Sequence, residues 1–374
     1  MPDYDAIVLG TGGIGSAALY QLARRGARVL GLDRFPPGHD RGSSHGETRI
    51  IRQAYFEHAD YVPLLLEAYR LWDELERRCG ERLFYPIGLL EVGPADGIVV
   101  PGVRRAAEKY GLEIENLSAR EAHSRFPGLR VPDDCEAVFE RQAGYLRVER
   151  CVKEHIEQAC RLGADFEQQE AVRWLAEEDR VMVTTNQATF TARRLIIAGG
   201  AWSSRLLADL HLSLRVLRKH LHWYPAADAS YQERSGCPAF FYEMPQGYYY
   251  GFPARDALGV KVAEHSGGDE VPDPLEVDRS LDQAERQRVE RFLQERLPGV
   301  GRQATHHAVC MYTMSPDEHF IVDHHPEHEE VAFAAGMSGH GFKFAPVLGN
   351  ALADLALEGA SDLPIGFLGL QRFV

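Results

Sequence analysis

Apolar and polar positions alternate in recognisable periods from the first residues onward. Tyr4-Asp5-Ala6-Ile7-Val8-Leu9 closes on an unbroken apolar run and passes directly into Gly10-Thr11-Gly12-Gly13-Ile14-Gly15. The run predicts a buried strand and the glycines a tight turn. Ser16 to Arg25 then carries apolar residues at helical spacing and stops at Gly26, as expected of a helix with a glycine C-cap. A second apolar run, Val29-Leu30-Gly31-Leu32, ends in Asp33, so the opening segment predicts a βαβ unit. Tyr61 to Glu76 places Leu64, Leu65, Ala68, Leu71 and Trp72 on one helical face. Phe84 to Val92 reads as one strand, and Ser118 with Glu121 forms a capping-box pattern that opens a short helix ending at Phe126, before Pro127-Gly128. Ala171 to Thr185 predicts a strand pair turning at Glu177-Glu178-Asp179, and Arg194 to Ala198 a strand that runs into Gly199-Gly200-Ala201-Trp202.

The texture changes between residues 216 and 300. Trp223, Tyr224, Phe240, Phe241, Tyr242 and Tyr248-Tyr249-Tyr250 lie in alternating segments suited to antiparallel strands, and the three successive tyrosines must point to opposite faces. At least one of those faces is therefore expected to be something other than plain core. Asp278 to Arg296 reads as a solvated charged helix. From Ala304 the chain returns to strands, over 306–312, 320–323 and 331–336, then to a second glycine-rich turn, Ser338-Gly339-His340-Gly341-Phe342-Lys343, and a helix from Val347 to Leu357. Glycine turns at both ends predict one unit built from residues 1–83, 145–215 and 304–374, interrupted by a second built from 84–144 and 216–303.

Composition narrows the class. A chain of 374 residues exceeds the size at which one core usually stops growing, which favours two domains. Fifty-five Asp and Glu against 41 Lys and Arg give a net charge of −14, which disfavours nucleic acid and anionic membranes as partners. No apolar run approaches the ~20 residues of a membrane span, and the first residues read as a strand where a signal peptide would have a charged n-region, so a cytoplasmic protein is expected. Six cysteines lie scattered without CxxC pairs, so neither a zinc site nor a disulfide framework is expected, and no metal is assigned.

The first glycine turn carries the strongest chemical signal. Gly10 suits a tight turn, Gly12 a close approach of backbone N–H groups to a pyrophosphate, and Gly15 a helix lying close on its strand. Asp33 stands near the ~20-residue distance expected of an acid that holds an adenosine ribose. These residues predict an adenine dinucleotide in a doubly wound domain.

Three further segments carry a resemblance. Ser43-Ser44-His45-Gly46-Glu47-Thr48-Arg49-Ile50-Ile51-Arg52, Val309-Cys310-Met311-Tyr312-Thr313 and Ser338-Gly339-His340-Gly341-Phe342-Lys343-Phe344 resemble the signatures of the monomeric sarcosine oxidase and N-methyltryptophan oxidase family. The likeness spreads over nearly the whole chain. It implies an α/β (α+β) two-domain fold, with a Rossmann-like FAD domain of the glutathione-reductase type and a catalytic domain built on a large mixed, mostly antiparallel sheet. It implies FAD bound along Gly10, Gly12, Gly13, Ile14, Gly15, Asp33, Arg34, Ser43, Ser44, Thr48, Val172, Gly199, Trp202, Met311, Gly339, Gly341, Phe342 and Lys343, and linked covalently through its 8α-methyl carbon to Cys310.

Position by position, the resemblance makes Arg52 and Lys343 the pair that binds a substrate carboxylate. Lys261, a charge in the apolar run Gly259-Val260-Lys261-Val262, becomes the oxygen-activating lysine over the flavin. His45 and Arg49 become residues beside the flavin ring, and Tyr250, His265 and Tyr312 residues of the substrate pocket. Ser44 departs from the family, where a histidine is common, and that leaves the local tuning of the flavin open. The implied reaction is hydride transfer from a secondary amino acid to flavin N5, hydrolysis of the imine, and reduction of O2 to H2O2 by a monomeric enzyme. The amine must be neutral to react, and a free secondary amine is mostly protonated at pH 7, so an aromatic pocket ringed by cations suits the step. A small N-methyl amino acid is the expected substrate, with N-methyltryptophan or a cyclic acid such as pipecolate or proline as alternatives. A nicotinamide-dependent dehydrogenase and a flavin-binding protein without catalysis are the alternatives from other classes; the former fits poorly with Lys261 and with the lack of a second complete GxGxxG unit.

Overall fold

The computed structural model describes residues 3–177, 180–226 and 228–373. The opening segment folds as its periodicity predicts. Strand β1 (Tyr4–Leu9), helix α1 (Gly13–Arg24) and strand β2 (Val29–Asp33) form a βαβ unit with β1 and β2 parallel. Gly15 is required here because a Cβ at that position would lie 1.8 Å from the Gly10 carbonyl oxygen, so any side chain would push α1 off the turn. Gly10 itself adopts φ +82, in the left-handed region that favours glycine.

β1 lies inside an eight-stranded sheet, between β2 and the parallel strand Thr189–Ile197. The N-terminal half of Thr189–Ile197 takes the antiparallel pair Ala171–Glu177 and Arg180–Thr185, and its C-terminal half pairs in parallel with His328–Ala335. Glu178 and Asp179 of the predicted turn lie outside the described residues. Ala17, Ala18 and Leu22 of α1 pack in one core with Val347, Ala351 and Leu355 of the last helix, Ala345–Glu358, which brings the two ends of the chain together.

A nine-stranded mixed sheet forms the second layer, and its pairings are antiparallel except where Ala239–Met244 meets Leu89–Pro94. Two expectations are corrected here. Phe84 to Val92 is two strands in different sheets: Phe84–Tyr85 pairs with Gly144–Arg147 in a small three-stranded sheet, while Leu89–Pro94 enters the large one. The chain bends between them at Gly88, φ +80, where a Cβ would strike the Phe139 ring. Strand His306–Met314, grouped by sequence with the first unit, instead pairs along its whole length with Arg215–Tyr224 in the large sheet.

The charged run is helical only over Gln283–Arg296, capped by the Asp282 carboxylate, and it is not solvated all round. Glu285, Val289, Phe292 and Leu293 are buried, and the Phe292 ring stacks on Tyr249 at 4.5 Å. This helix therefore covers one face of the large sheet and leaves Tyr250, on the other face, to a cavity. The predicted capping box is present at Ser118 and Glu121. Among the described residues no helix is long and apolar enough to cross a membrane.

Candidate functional site

A cavity of about 440 Å³ is lined from both large sheets. One end is the turn after β1, where Gly10, Gly12, Gly13 and Ile14 line the wall together with Asp33 and Arg34. Asp33 accepts the Thr11 N–H at 2.7 Å and the Phe35 N–H at 2.9 Å, which ties the glycine turn to the end of β2. A Cβ on Gly12 would meet nothing nearer than the Ser44 hydroxyl at 3.8 Å, so the backbone there faces open space. No acidic residue lies in the first turn of α1, and its Gly12 cap makes no side-chain hydrogen bond. The positive end of the helix is thus presented to the cavity, as an anionic diphosphate would require. Arg34 pairs with Glu170 at 3.1 Å beside Val172, which is 64% exposed at the mouth, and Gly199 and Trp202 form the adjoining wall. The buried Trp202 Nε1 has no hydrogen-bond partner among the described residues, so a donor is left for a bound group. On these observations the residues fit an adenine dinucleotide.

Ser44 and Phe342 stand against the turn itself: the Gly13 N–H donates to the Ser44 hydroxyl at 3.0 Å, and a Cβ on Gly13 would strike the Phe342 ring. The lining continues through Ser43, Arg49, Met311, Tyr312, Gly339 and Gly341, with Arg52, Lys343, Tyr250 and His265. Five expected site residues do not line the cavity. Gly15 lies against Gly10. Cys310 is buried one layer behind, its Sγ 3.2 Å from the Arg49 guanidinium and 3.4 Å from the Ser43 carbonyl, both of which belong to lining residues. His45 is buried with Nε2 unpartnered, and burial, followed by the Arg49 charge, lowers its pKa to about 3, so the ring is neutral. Thr48 and Lys261 are joined: the Lys261 ammonium donates to the Gly46 carbonyl at 2.5 Å, the Thr48 carbonyl at 3.0 Å and the Thr48 hydroxyl at 3.2 Å. Lys261 thus stands behind Arg49, over the Phe252 and Trp223 rings, and burial with Arg49 beside it pushes its pKa well below the usual lysine value.

Electrostatics concentrate around Arg52. Its guanidinium donates to Glu57 at 2.5 Å, lies 3.3 Å from a Glu91 carboxyl oxygen, and sits over the Tyr55 and Phe56 rings. Burial alone would raise the Glu57 pKa, but Arg52, His340 and Lys343 together pull it to about 2. Lys343 donates to the His340 carbonyl at 2.6 Å and to the Tyr55 hydroxyl at 3.4 Å; burial and then Arg52 lower its pKa to about 7. Burial likewise lowers His265 to about 3, and its ring contacts the Tyr312 hydroxyl at 3.3 Å.

Glu57, Glu91 and His340 escape sequence reasoning. Glu91 carries the same signal as Lys261, a charge inside an apolar run, and Glu57 follows Arg52 closely along the same loop. Apart from the cavity, the structure brings together Asp209, His325 and His328, a grouping the sequence gives no hint of. His325 is already satisfied there, accepting the Glu327 N–H and meeting Asp209 at 2.7 Å.

Comparison with known proteins bears on this arrangement. Residues 5–355 match the model of the FAD dependent oxidoreductase family. The chain is 42% identical to the monomeric sarcosine oxidase of Streptomyces avermitilis, over 99% of this chain and 98% of the relative. It is 40% identical to the N-methyl-L-tryptophan oxidase of Yersinia pestis, over 99% and 100%. Among solved structures, NikD, an unusual amino acid oxidase essential for nikkomycin biosynthesis, superposes with a TM-score of 0.86 at 26% identity, covering 98% of this chain and 97% of that one.

Proposed function

Since the chain belongs to the FAD dependent oxidoreductase family, we propose that it is a sarcosine oxidase-like enzyme that oxidises small N-methyl amino acids, acts as a monomer and uses O2 as oxidant. The observation that carries this reading is that one cavity is lined both by two cations, Arg52 and Lys343, and by the glycine turn at the N-terminus of α1, which has no acidic residue in its first turn. Gly10, Gly12, Gly13 and Ile14 would cradle the FAD diphosphate, Asp33 its ribose, and Gly199, Trp202, Gly339, Gly341 and Phe342 would flank its length. Bound FAD supplies the hydride acceptor and passes the electrons on to O2.

The chain's own residues bind, orient and desolvate. Arg52 offers a planar fork and Lys343 a point charge to the substrate carboxylate. Glu57 holds the fork in the free enzyme and must yield part of it when a carboxylate arrives. Phe241, Tyr250 and Tyr312 exclude water from the amine, and the nearby cations disfavour a second positive charge, so the amine loses its proton on entering. His265 and His45 are neutral and add no charge to oppose this. Peroxide release from a panel of N-methyl and cyclic amino acids tests the reading. Sarcosine is expected to give the highest rate, N-methyltryptophan or pipecolate leading would reassign the substrate, and a protein that forms no peroxide with any of them would refute the proposal.

A covalent link at Cys310 is part of the same reading, supported by its position behind Arg49 and Ser43. Acid-precipitated holoenzyme should stay yellow, and Cys310→Ala should release the colour to the supernatant. Colour lost from the unmodified protein would remove the link and leave noncovalent binding.

A further inference from the structure

Glu91 is an anomaly that the proposed reaction does not use. It lies in Leu89–Pro94 with no exposure to solvent, and neither carboxyl oxygen has a hydrogen-bond partner among the described residues. In the sheet it stands between Val138 and Phe241, and the Phe241 ring lines the cavity. The nearest cation is Arg52, whose Nε lies 3.3 Å from Oε1 and is itself unpartnered by hydrogen-bond geometry. An isolated buried carboxyl is costly, and one held dry against a guanidinium acts on it through charge.

We propose that Glu91 is a positioning residue that sets how strongly Arg52 attracts a substrate carboxylate, by competing for the guanidinium charge from behind the cavity wall. The proposal rests on Arg52 being the carboxylate-binding residue. When protonated, Glu91 leaves the Arg52 charge to the substrate; when ionised, it takes a share.

The groups facing Glu91 fix the direction. Burial raises its pKa, Arg52 opposes that, and Glu140 and Glu57 add to it, giving about 8, with Lys343 as a further opposing cation. Glu140, on the neighbouring strand, is committed to the Gln53 and Ala54 N–H groups, and Glu57 to the other edge of the guanidinium. Glu91 is therefore neutral in neutral solution and ionises above about pH 8. Binding of an anion in alkaline solution must then drive a proton back onto Glu91, and affinity falls with pH.

Acetate is the probe, titrated calorimetrically into holoenzyme at pH 6.5 and 9.5. Glu91→Gln keeps the shape of the protonated acid and cannot ionise. It should match the wild type at pH 6.5 and bind acetate about tenfold more tightly than the wild type at pH 9.5, the equivalent of one pKa unit. Lys343 and Glu91 act on each other's charge, so the comparison is repeated in a Lys343→Met background, where the pH-dependent ratio between the Glu91→Gln variant and its parent should persist. Glu91→Leu serves if the Gln variant does not fold, with the same expected ratio. A ratio that does not change with pH, or weaker binding by the variants at both values, would overturn the proposal and make Glu91 a structural prop. Failure of the underlying reading looks different: Arg52→Ala would then bind acetate as well as the wild type.

Discussion

Replacing Lys261 by Met should slow the reaction of the reduced enzyme with O2, by up to roughly three orders of magnitude, while leaving anaerobic reduction by substrate nearly intact. One-electron reduction of O2 makes an anion, and a fixed cation nearby lowers the cost of making it. At an effective dielectric near 20 the attraction is about 4 kcal/mol at about 4 Å, which sets an upper bound of roughly three decades at 1.36 kcal/mol each, because Lys261 stands behind the residues that line the cavity. Lys261 is held for such a role, since three oxygens of Gly46 and Thr48 take its three donors. Its low pKa matters too, because the ammonium must survive burial beside Arg49. Met keeps the length of the side chain and removes the charge, though it leaves two carbonyls without a donor. Stopped-flow measurement separates the two half-reactions. Unchanged reoxidation with a collapsed reductive rate would move Lys261 to substrate binding and leave Arg49, which lines the cavity, as the candidate for activating O2.

How far the sequence reveals this arrangement depends on which forces are local. The turn after β1 is legible because its demands fall within a few residues: Gly15 must admit the Gly10 carbonyl, and Gly10 must take a positive φ. The capping box at Ser118 is legible for the same reason. Partner choice is not local. His306–Met314 looks like any apolar strand, and only its register with Arg215–Tyr224, which sets Cys310 opposite Lys219, assigns it to the large sheet. The break in Phe84 to Val92 falls at Pro86 and Gly88, which the apolar continuity of the run conceals. Charges in strands show the limit most clearly. Lys261 stands out as a charge in an apolar run that also matches a family lysine, whereas Glu91, equally out of place, gains meaning only when folding sets it against Arg52.

Loss of Arg52 or Lys343, the two cations proposed to bind the substrate carboxylate, should be the most substrate-selective defect. Arg52→Ala removes charge-assisted hydrogen bonds of roughly 1.5–3 kcal/mol each, so kcat/KM for sarcosine should fall by about two to three orders of magnitude. An N-methylalkylamine without a carboxylate should lose far less, because it never engages the fork. The substitution also strands Glu57, whose low pKa depends on Arg52 against the opposing effect of burial. Glu57 should then take up a proton near neutral pH, and a drop in melting temperature is expected alongside the kinetic loss. Lys343→Ala should reveal its role through pH. Lys343 titrates at about 7 in the free enzyme, so it is cationic below that value and loses its charge above it. The advantage of the wild type over Lys343→Ala toward sarcosine should therefore be largest below pH 7 and shrink as pH rises. Deprotonation of the substrate amine favours both proteins equally and drops out of the ratio. A ratio independent of pH, or equal losses for amines with and without a carboxylate, would show that these two cations hold the fold of the pocket and do not read the substrate.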